Sequence, residues 1–313
     1  MRVYILRALI RAFFSMLLVV TIVFLALRLG PLDPAQYILG DYATEETLKN
    51  LRESMELDKP LHVQYLKFLN RMVHGDFGHS YLNHLPVLSQ LIEVLPYTIV
   101  LVISAIFLGI IMGVPPGILA ALKPNSLFDH IIRIVTLGGI SIPTFVMGIF
   151  LISIFSVKLD LLPAIGGGKA GDFKSQFLSL ILPAFSCGLM MMASIARLVR
   201  ASLLDVLKKD FILTARSKGL GEGIIICKHA LRNSLLPLIT YLGIYINILL
   251  GSAVLVEVIF TRPGVGRLIV EAIKSSDFPV VQTVILFYAG AVVVVNLLID
   301  IIYSLVDPRI VYK

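Results

Sequence analysis

The sequence predicts an all-α membrane protein with six spanning helices. Three observations carry that prediction: six long runs without Asp, Glu, Lys or Arg, a composition 58% hydrophobic and only 15% charged, and an uneven spread of basic residues over the segments that join the runs. Soluble domains average about 45–50% apolar and about 25% charged residues. A mean hydropathy of +0.92 calls for lipid rather than water around most of the chain. This composition excludes a disordered chain, a nucleic-acid-binding tail and most soluble enzymes.

The runs cover residues 12–27, 94–122, 134–157, 175–196, 233–256 and 278–299. A helix rises about 1.5 Å per residue, so roughly 20 apolar residues cross a 30 Å hydrocarbon core. Five runs are long enough. The first is short, and Arg11 and Arg28 at its ends are expected to snorkel outward and lengthen it. It also has the basic start of a signal peptide, with Arg2, Arg7 and Arg11. The chain then continues Leu27-Arg28-Leu29-Gly30-Pro31 with no small-residue cleavage site, so an uncleaved anchor is expected. Six spans put both termini on one side. With the N-terminus inside, the inside segments hold fifteen of the 27 Lys and Arg but six of the 20 acids. That bias follows the positive-inside rule and puts both termini in the cytoplasm. The net charge of +7 is therefore read as a topology signal, with the lipid bilayer and not nucleic acid as partner. Cys187 and Cys227 give no disulfide framework and read as free thiols, one in the core and one at the surface.

The expected organisation is a first helix within 1–29, an extracytoplasmic lobe at 30–93, a core of five spans at 94–305 with a cytoplasmic loop at 201–232, and a cytoplasmic tail at 306–313. In the lobe, Leu48, Leu51, Met55, Leu61, Tyr65, Leu66, Leu69 and Met72 recur at near-helical spacing, interrupted at Pro60. Two short amphipathic helices lying against the outer face follow from that pattern.

The cytoplasmic loop contains the run Asp210-Phe211-Ile212-Leu213-Thr214-Ala215-Arg216-Ser217-Lys218-Gly219-Leu220. Asp210 suits an N-cap, Gly219 suits the residue that ends a helix, and Arg216 and Lys218 suit the negative end of its dipole. A helix of about two turns is marginal alone. It makes physical sense if Phe211 is buried in a groove on another protein.

At this point the chain resembles a known family. The run from Asp210 to Gly219, continued by His229-Ala230-Leu231-Arg232-Asn233-Ser234-Leu235-Leu236-Pro237, is similar to the signature loop of permease subunits of bacterial ABC importers, in the dipeptide/oligopeptide/nickel branch. Gly75-Asp76-Phe77-Gly78, Ser80-Tyr81, Arg197 and Arg200, Pro263-Gly264-Val265-Gly266-Arg267-Leu268 and Asp307-Pro308-Arg309 agree with the same branch. The likeness runs from the first helix to the last residues. Against the broader ABC importer loop, Leu213 replaces a Glu and the gap after Gly219 is longer, as is usual in this branch.

The resemblance implies a type I ABC importer permease fold in a bacterial cytoplasmic membrane. It implies that the chain is not an enzyme and holds no cofactor, with ATP and Mg bound by two partner ATPase subunits. A second, homologous permease and an extracytoplasmic substrate-binding protein complete the assembly. Asp210, Phe211, Thr214, Ala215, Arg216, Lys218 and Gly219 are carried over as the helix that couples to the ATPase. Pro263, Gly264, Gly266 and Arg267 are candidates for meeting the binding protein. The implied cargo is a di- or oligopeptide, with nickel or glutathione as alternatives.

Other features are weighed on their own chemistry. Gly166-Gly167-Gly168-Lys169 is not a phosphate loop, because Pro163 stands where the first glycine belongs and Ala170 replaces Ser or Thr. His74, His79 and His84, five residues apart, fall on different helix faces and make a poor metal set. Glu257 and Asp300 end apolar runs, where a structural polar partner is expected. Arg197 and Arg200 read as membrane anchors and subunit contacts. Met190, Met191 and Met192 suit either an adaptable cavity or ordinary packing. Pro115, Pro116, Pro143, Pro183 and Pro237 are expected to bend or break spans. Gly138, Gly139, Gly148 and Gly251 are expected to let helices approach closely. An ion-coupled secondary transporter would need charged pairs inside the spans, and the six runs have none. An intramembrane enzyme would need a base beside a nucleophile, and runs two to six contain no His.

Overall fold

The computed structural model describes residues 2–30, 33–40, 43–169 and 171–306. Their regular structure is helical, joined by turns and one isolated bridge between His79 and Pro86. Helix α1 is Arg2–Leu29, followed by α2 Pro34–Leu39, α3 Glu45–Ser54 and α4 Leu61–Val73. Then come α5 Val87–Leu122, α6 Leu127–Ser141, α7 Thr144–Leu151 with a π-helical continuation Ile152–Lys158, and α8 Phe173–Leu207. The chain continues through α9 Asp210–Ser217, α10 Glu222–Ile224, a π-helical turn Ile225–Ala230, α11 Leu231–Ser234, α12 Leu236–Ile259, α13 Val265–Lys274 and α14 Phe278–Val306.

Among the described residues, five helices are long and apolar enough to cross a membrane: Ile10–Leu29, Val87–Leu122, Phe173–Leu207, Pro237–Ile259 and Phe278–Ile299. The run at 134–157, expected as one span bent or broken at Pro143, is a bent pair, with α6 and the α7 segment meeting at 103°. Pro143 is the cause. It has no N–H to donate and disfavours helix at the residue before it, and Ile142 is extended at φ −89°, ψ 121°. Counted as one, the pair makes the sixth span.

The described residues divide into two compact units, one of residues up to Pro96 with Pro263–Val294, the other of Tyr97–Arg262 with residues 295–306. In the first, Val87 and Leu91 of α5, Val265 and Ala272 of α13, and Val280, Val281 and Val284 of α14 form the buried core. The glycine-rich motif at 75–81 is a clamp in this unit. Asp76 Oδ1 accepts from Gly78 N–H at 2.9 Å, and Ser80 Oγ and the Tyr81 N–H donate to the two oxygens of buried Asp277.

The lobe helices form where expected, capped by Thr44 and broken at Pro60. Their buried face differs from the sequence pattern: Gln64 is buried and Leu66 exposed. Arg28 is the reason. It does not snorkel outward but turns inward, where its Nε donates to Gln64 Oε1 at 2.7 Å.

In the second unit, α8 is the central helix, packed by α6, α7, α11 and α12. Its core holds Cys187, Met191, Ile195 and Val199 of α8 against Leu101 and Ala105 of α5 and Tyr245, Leu249 and Phe260 from the chain around α12. Gly109, Gly113 and Gly117 form a ladder on α5. A Cβ on them would lie 2.9 Å from the Met191 side chain and 2.7 and 2.6 Å from the carbonyl oxygens of Met192 and Ala196. Helices this close need glycine at the contact. Gly139 touches Ala193 in the same way, whereas Gly138 and Gly251 face open space. Met191 is thus a packing residue. Gly168 has φ +81° and sits against the Gln176 backbone, so the glycine run shapes a turn.

Candidate functional site

The run at 210–220 folds as a short helix with a closed end. Helix α9 starts one residue earlier than the capping pattern suggests: Lys209 is the extended N-cap, and Asp210 is the first helical residue. Asp210 keeps its favourable place in the first turn, while its carbonyl accepts from Thr214 Oγ1 at 3.0 Å. At the other end Gly219 N–H bonds Arg216 O and Leu220 N–H bonds Ala215 O. This 6→1, 5→2 pair defines a Schellman motif, which requires a left-handed residue after the C-cap. Gly219 supplies it at φ +74°.

The helix presents two unlike faces. Ile212 and Ala215 are buried in a small core with Ala121, Leu203, Val206, Ile225 and Ala230. Phe211 is 39% exposed and Leu213 61%. The apolar residues therefore divide, two anchoring the helix to its own chain and two facing away. Thr214, Arg216, Lys218 and Gly219 are exposed. Arg216 holds Glu222 in a two-pronged ion pair at 2.7 and 3.3 Å. That contact raises the Arg216 pKa and lowers that of Glu222. Nothing lies within 4 Å of the place a Gly219 Cβ would occupy.

The second candidate group sits where α12 gives way to α13. Gly264 and Gly266 are buried, so of the four residues Pro263 and Arg267 present side-chain surface. Arg267 Nε donates to Glu271 Oε1 at 2.6 Å.

Several other polar residues singled out in the sequence are tied within the chain. Arg200, expected as an anchor and subunit contact, pairs instead with Asp129 on α6, its Nη2 2.7 Å from Oδ2. Asp129 is fully buried and also accepts the Asn125 N–H. Glu257 is fully buried and accepts from Thr98 Oγ1 at 2.6 Å. Buried Arg262 lies over the Tyr97 ring. The Asp300 side chain and the motif at 307–309 fall outside the described residues. His74, His79 and His84 are exposed, with His74 Nδ1 on the Asn70 carbonyl. Cys187 is buried and Cys227 exposed, both free.

Sequence reasoning missed the Gly109–Gly113–Gly117 ladder and the Asp129–Arg200 pair. Four-residue glycine spacing in an apolar run was a legible signal for the first. A lone acid opening an apolar helix was the only hint of the second.

The model described as "Binding-protein-dependent transport system inner membrane component" matches residues 105–312, and that for the N-terminal part of such components matches residues 1–102. The chain belongs to this family. It is 39% identical, over all of both chains, to a probable peptide ABC transporter permease protein of Sinorhizobium fredii. It is 35% identical to a glutathione transport system permease protein of Shigella flexneri, with 99% of each covered. A dipeptide transport system permease protein of Alkalihalophilus pseudofirmus is 39% identical, over 93% of this chain and 94% of that one. Among solved structures, the inward-facing methionine ABC transporter MetNI matches with a TM-score of 0.57 at 19% identity, covering 71% of this chain and 98% of that one. That likeness shows the fold, that of a type I ABC importer permease. This permease is a multi-pass membrane subunit of an ABC importer, and the ATPase is a separate subunit.

Proposed function

We propose that this permease imports di- or oligopeptides across a bacterial cytoplasmic membrane, with α9 as the element through which ATP hydrolysis drives it. The single observation that carries the coupling role is the division of α9. Ile212 and Ala215 fix it to its own chain while Phe211 and Leu213 stay exposed, which suits an apolar knob for a partner's cleft. Docked there, α9 passes the closure of an ATPase pair to α8, to whose residues Leu203 and Val206 its inner face is packed. Rigid-body movement of packed helices is a known way to switch a membrane cavity between its two sides.

One permease with one coupling helix is half of a symmetric pathway, so a second, homologous permease and two ATPase subunits complete it. The lobe at 30–93 and the segment around Pro263 and Arg267 are read as the extracytoplasmic surface that meets a substrate-binding protein. Peptide cargo is supported by the names of the relatives. Glutathione is a second reading, supported by the glutathione permease at 35% identity. Nickel has no such support among the relatives named here.

Reconstituting the complete importer and measuring which ligand-loaded binding protein stimulates ATP hydrolysis tests the cargo. Stimulation by dipeptides or longer peptides is expected; stimulation by a metal chelate alone would overturn the peptide reading. For the coupling role, a side chain at Gly219 starts into open space and carries only the strain of a left-handed residue, so Gly219→Trp should leave the permease folded yet release the ATPase. Arg216→Glu with Lys218→Glu should do the same. Wild-type uptake in both variants would overturn it.

A further inference from the structure

The first unit contains a cavity of about 90 Å³ whose wall includes Arg28, Gln64, Lys67, Arg71, Tyr81 and Gln282. Its centre is a guanidinium held still on three sides. Arg28 stands over the rings of Phe24 and Phe278, at 5.3 and 5.0 Å, and Gln64 takes its Nε proton. Gln64 in turn is fixed by donating to the Leu57 and Lys59 carbonyls. Arg28 Nη1, although buried, has no hydrogen-bond partner among the described residues, and neither has the Nε2 of Gln282, a side chain 7% exposed.

The carboxylates nearby are already engaged. Glu56 accepts from Lys59 and Lys67, both at 2.6 Å, and Asp76 accepts from Gly78. The wall therefore carries three cations against two committed acids, with Lys67 and Arg71 both on Glu56 and Arg28 on no carboxylate among the described residues. A buried donor without a partner is unfavourable, and a planar guanidinium edge fits a carboxylate with two parallel bonds. Burial also pushes the Tyr81 phenol up, so it stays protonated, and it hydrogen-bonds the Arg28 guanidinium as part of the same wall.

We propose that this cavity is a carboxylate-binding site, with the Arg28 guanidinium and the Gln282 amide donating to the two carboxylate oxygens. The volume fits the binding group, and the open mouth leaves room for the rest of a larger molecule. A cavity of roughly 150 Å³ takes benzene, so this smaller one takes a carboxylate with one or two carbons attached. That group arrives either as the terminus of a small solute or as an acid side chain of a docking protein.

The test uses the purified full chain in lipid nanodiscs with sodium acetate as probe and acetamide as its neutral isostere. Acetate should raise the unfolding midpoint saturably while acetamide and matched sodium chloride do not. Gln282→Leu, which keeps the volume, should weaken acetate about tenfold, the effect of one hydrogen bond to a charged group. Arg28→Gln should abolish it. Equal responses to acetate and acetamide, or wild-type acetate binding in both variants, would overturn the site. In a second arm, displacement of acetate by glycylglycine but not by glycylglycine amide assigns the carboxylate to a solute. Displacement only by the cognate binding protein assigns it to a side chain. Acetate binding needs neither ATP nor a partner subunit, so its failure leaves the importer reading untouched.

Discussion

Two arginine–carboxylate forks on neighbouring parts of the chain use the same Nε and Nη2 donors and have opposite surroundings. Arg200 grips Asp129, whose carboxylate is fully buried, and ties α8 to the start of α6. Arg216 grips Glu222 where both side chains are about half exposed. Burial decides what each is for. Losing one partner of a buried pair strands a charge out of water, whereas an exposed pair exchanges freely with solvent and contributes little. The first fork belongs to the fold. The second leaves its arginine available to a docked subunit.

The strongest break in that comparison is Asp129→Ala. It leaves Arg200 unpaired and should lower stability by about 3 kcal/mol, read as a fall in the thermal unfolding midpoint of the purified permease. An unchanged midpoint would remove the structural reading of this pair. Next, the two faces of α9 can be set against each other. Ile212→Ala empties a fully buried site and should cost about 2–3 kcal/mol. Phe211→Ala should leave stability unchanged while ATPase stimulation by loaded binding protein collapses. Equal stability losses in the two variants would erase the division between the faces.

A smaller effect is expected at the helix end. Gly219→Ala meets no neighbour and pays only for its left-handed conformation, about 1 kcal/mol, measurable by denaturant titration. Arg216→Ala should leave the unfolding midpoint where it is and be felt only in coupled ATP hydrolysis.

The mildest prediction concerns acid. Hydrogen bonds from Lys59 and then Lys67 lower the Glu56 carboxyl from 4.5 to about 2. A depressed carboxylate contributes stability above its unfolded value and loses it as pH falls through the folded one. The contact of Glu56 with α4 should therefore persist at pH 5 and be lost between about pH 4.5 and 2. Nuclear magnetic resonance titration of Glu56 should find its midpoint near 2, moving up in Lys59→Gln and Lys67→Gln.

Much of this permease was legible without coordinates because lipid imposes simple rules. Stretches free of charge marked the spans, Pro60 split the lobe helices, and the glycine after Lys218 closed α9 where a left-handed residue was required. The start of α9 was missed by one residue, since both Lys209 and Asp210 tolerate the extended cap and the choice is made by how Ile212 and Ala215 seat inside. The 103° break at Pro143 was legible only as a bend or break of unknown size. Hydropathy does not distinguish a straight run from a folded one of equal composition.

What the sequence determined alone was local or periodic: which stretches are apolar, where helices can end, and which segment resembles a family's signature loop. What the tertiary structure decided was the pairing of distant groups. Arg28 looked like a residue reaching for water, and instead lies between two rings with its Nε on Gln64. Arg200 looked like a surface contact, and its partner proved to be an acid on another helix. A charged side chain has many possible partners along a chain. Only folding selects one, because the cost of burying the charge depends on every group brought around it.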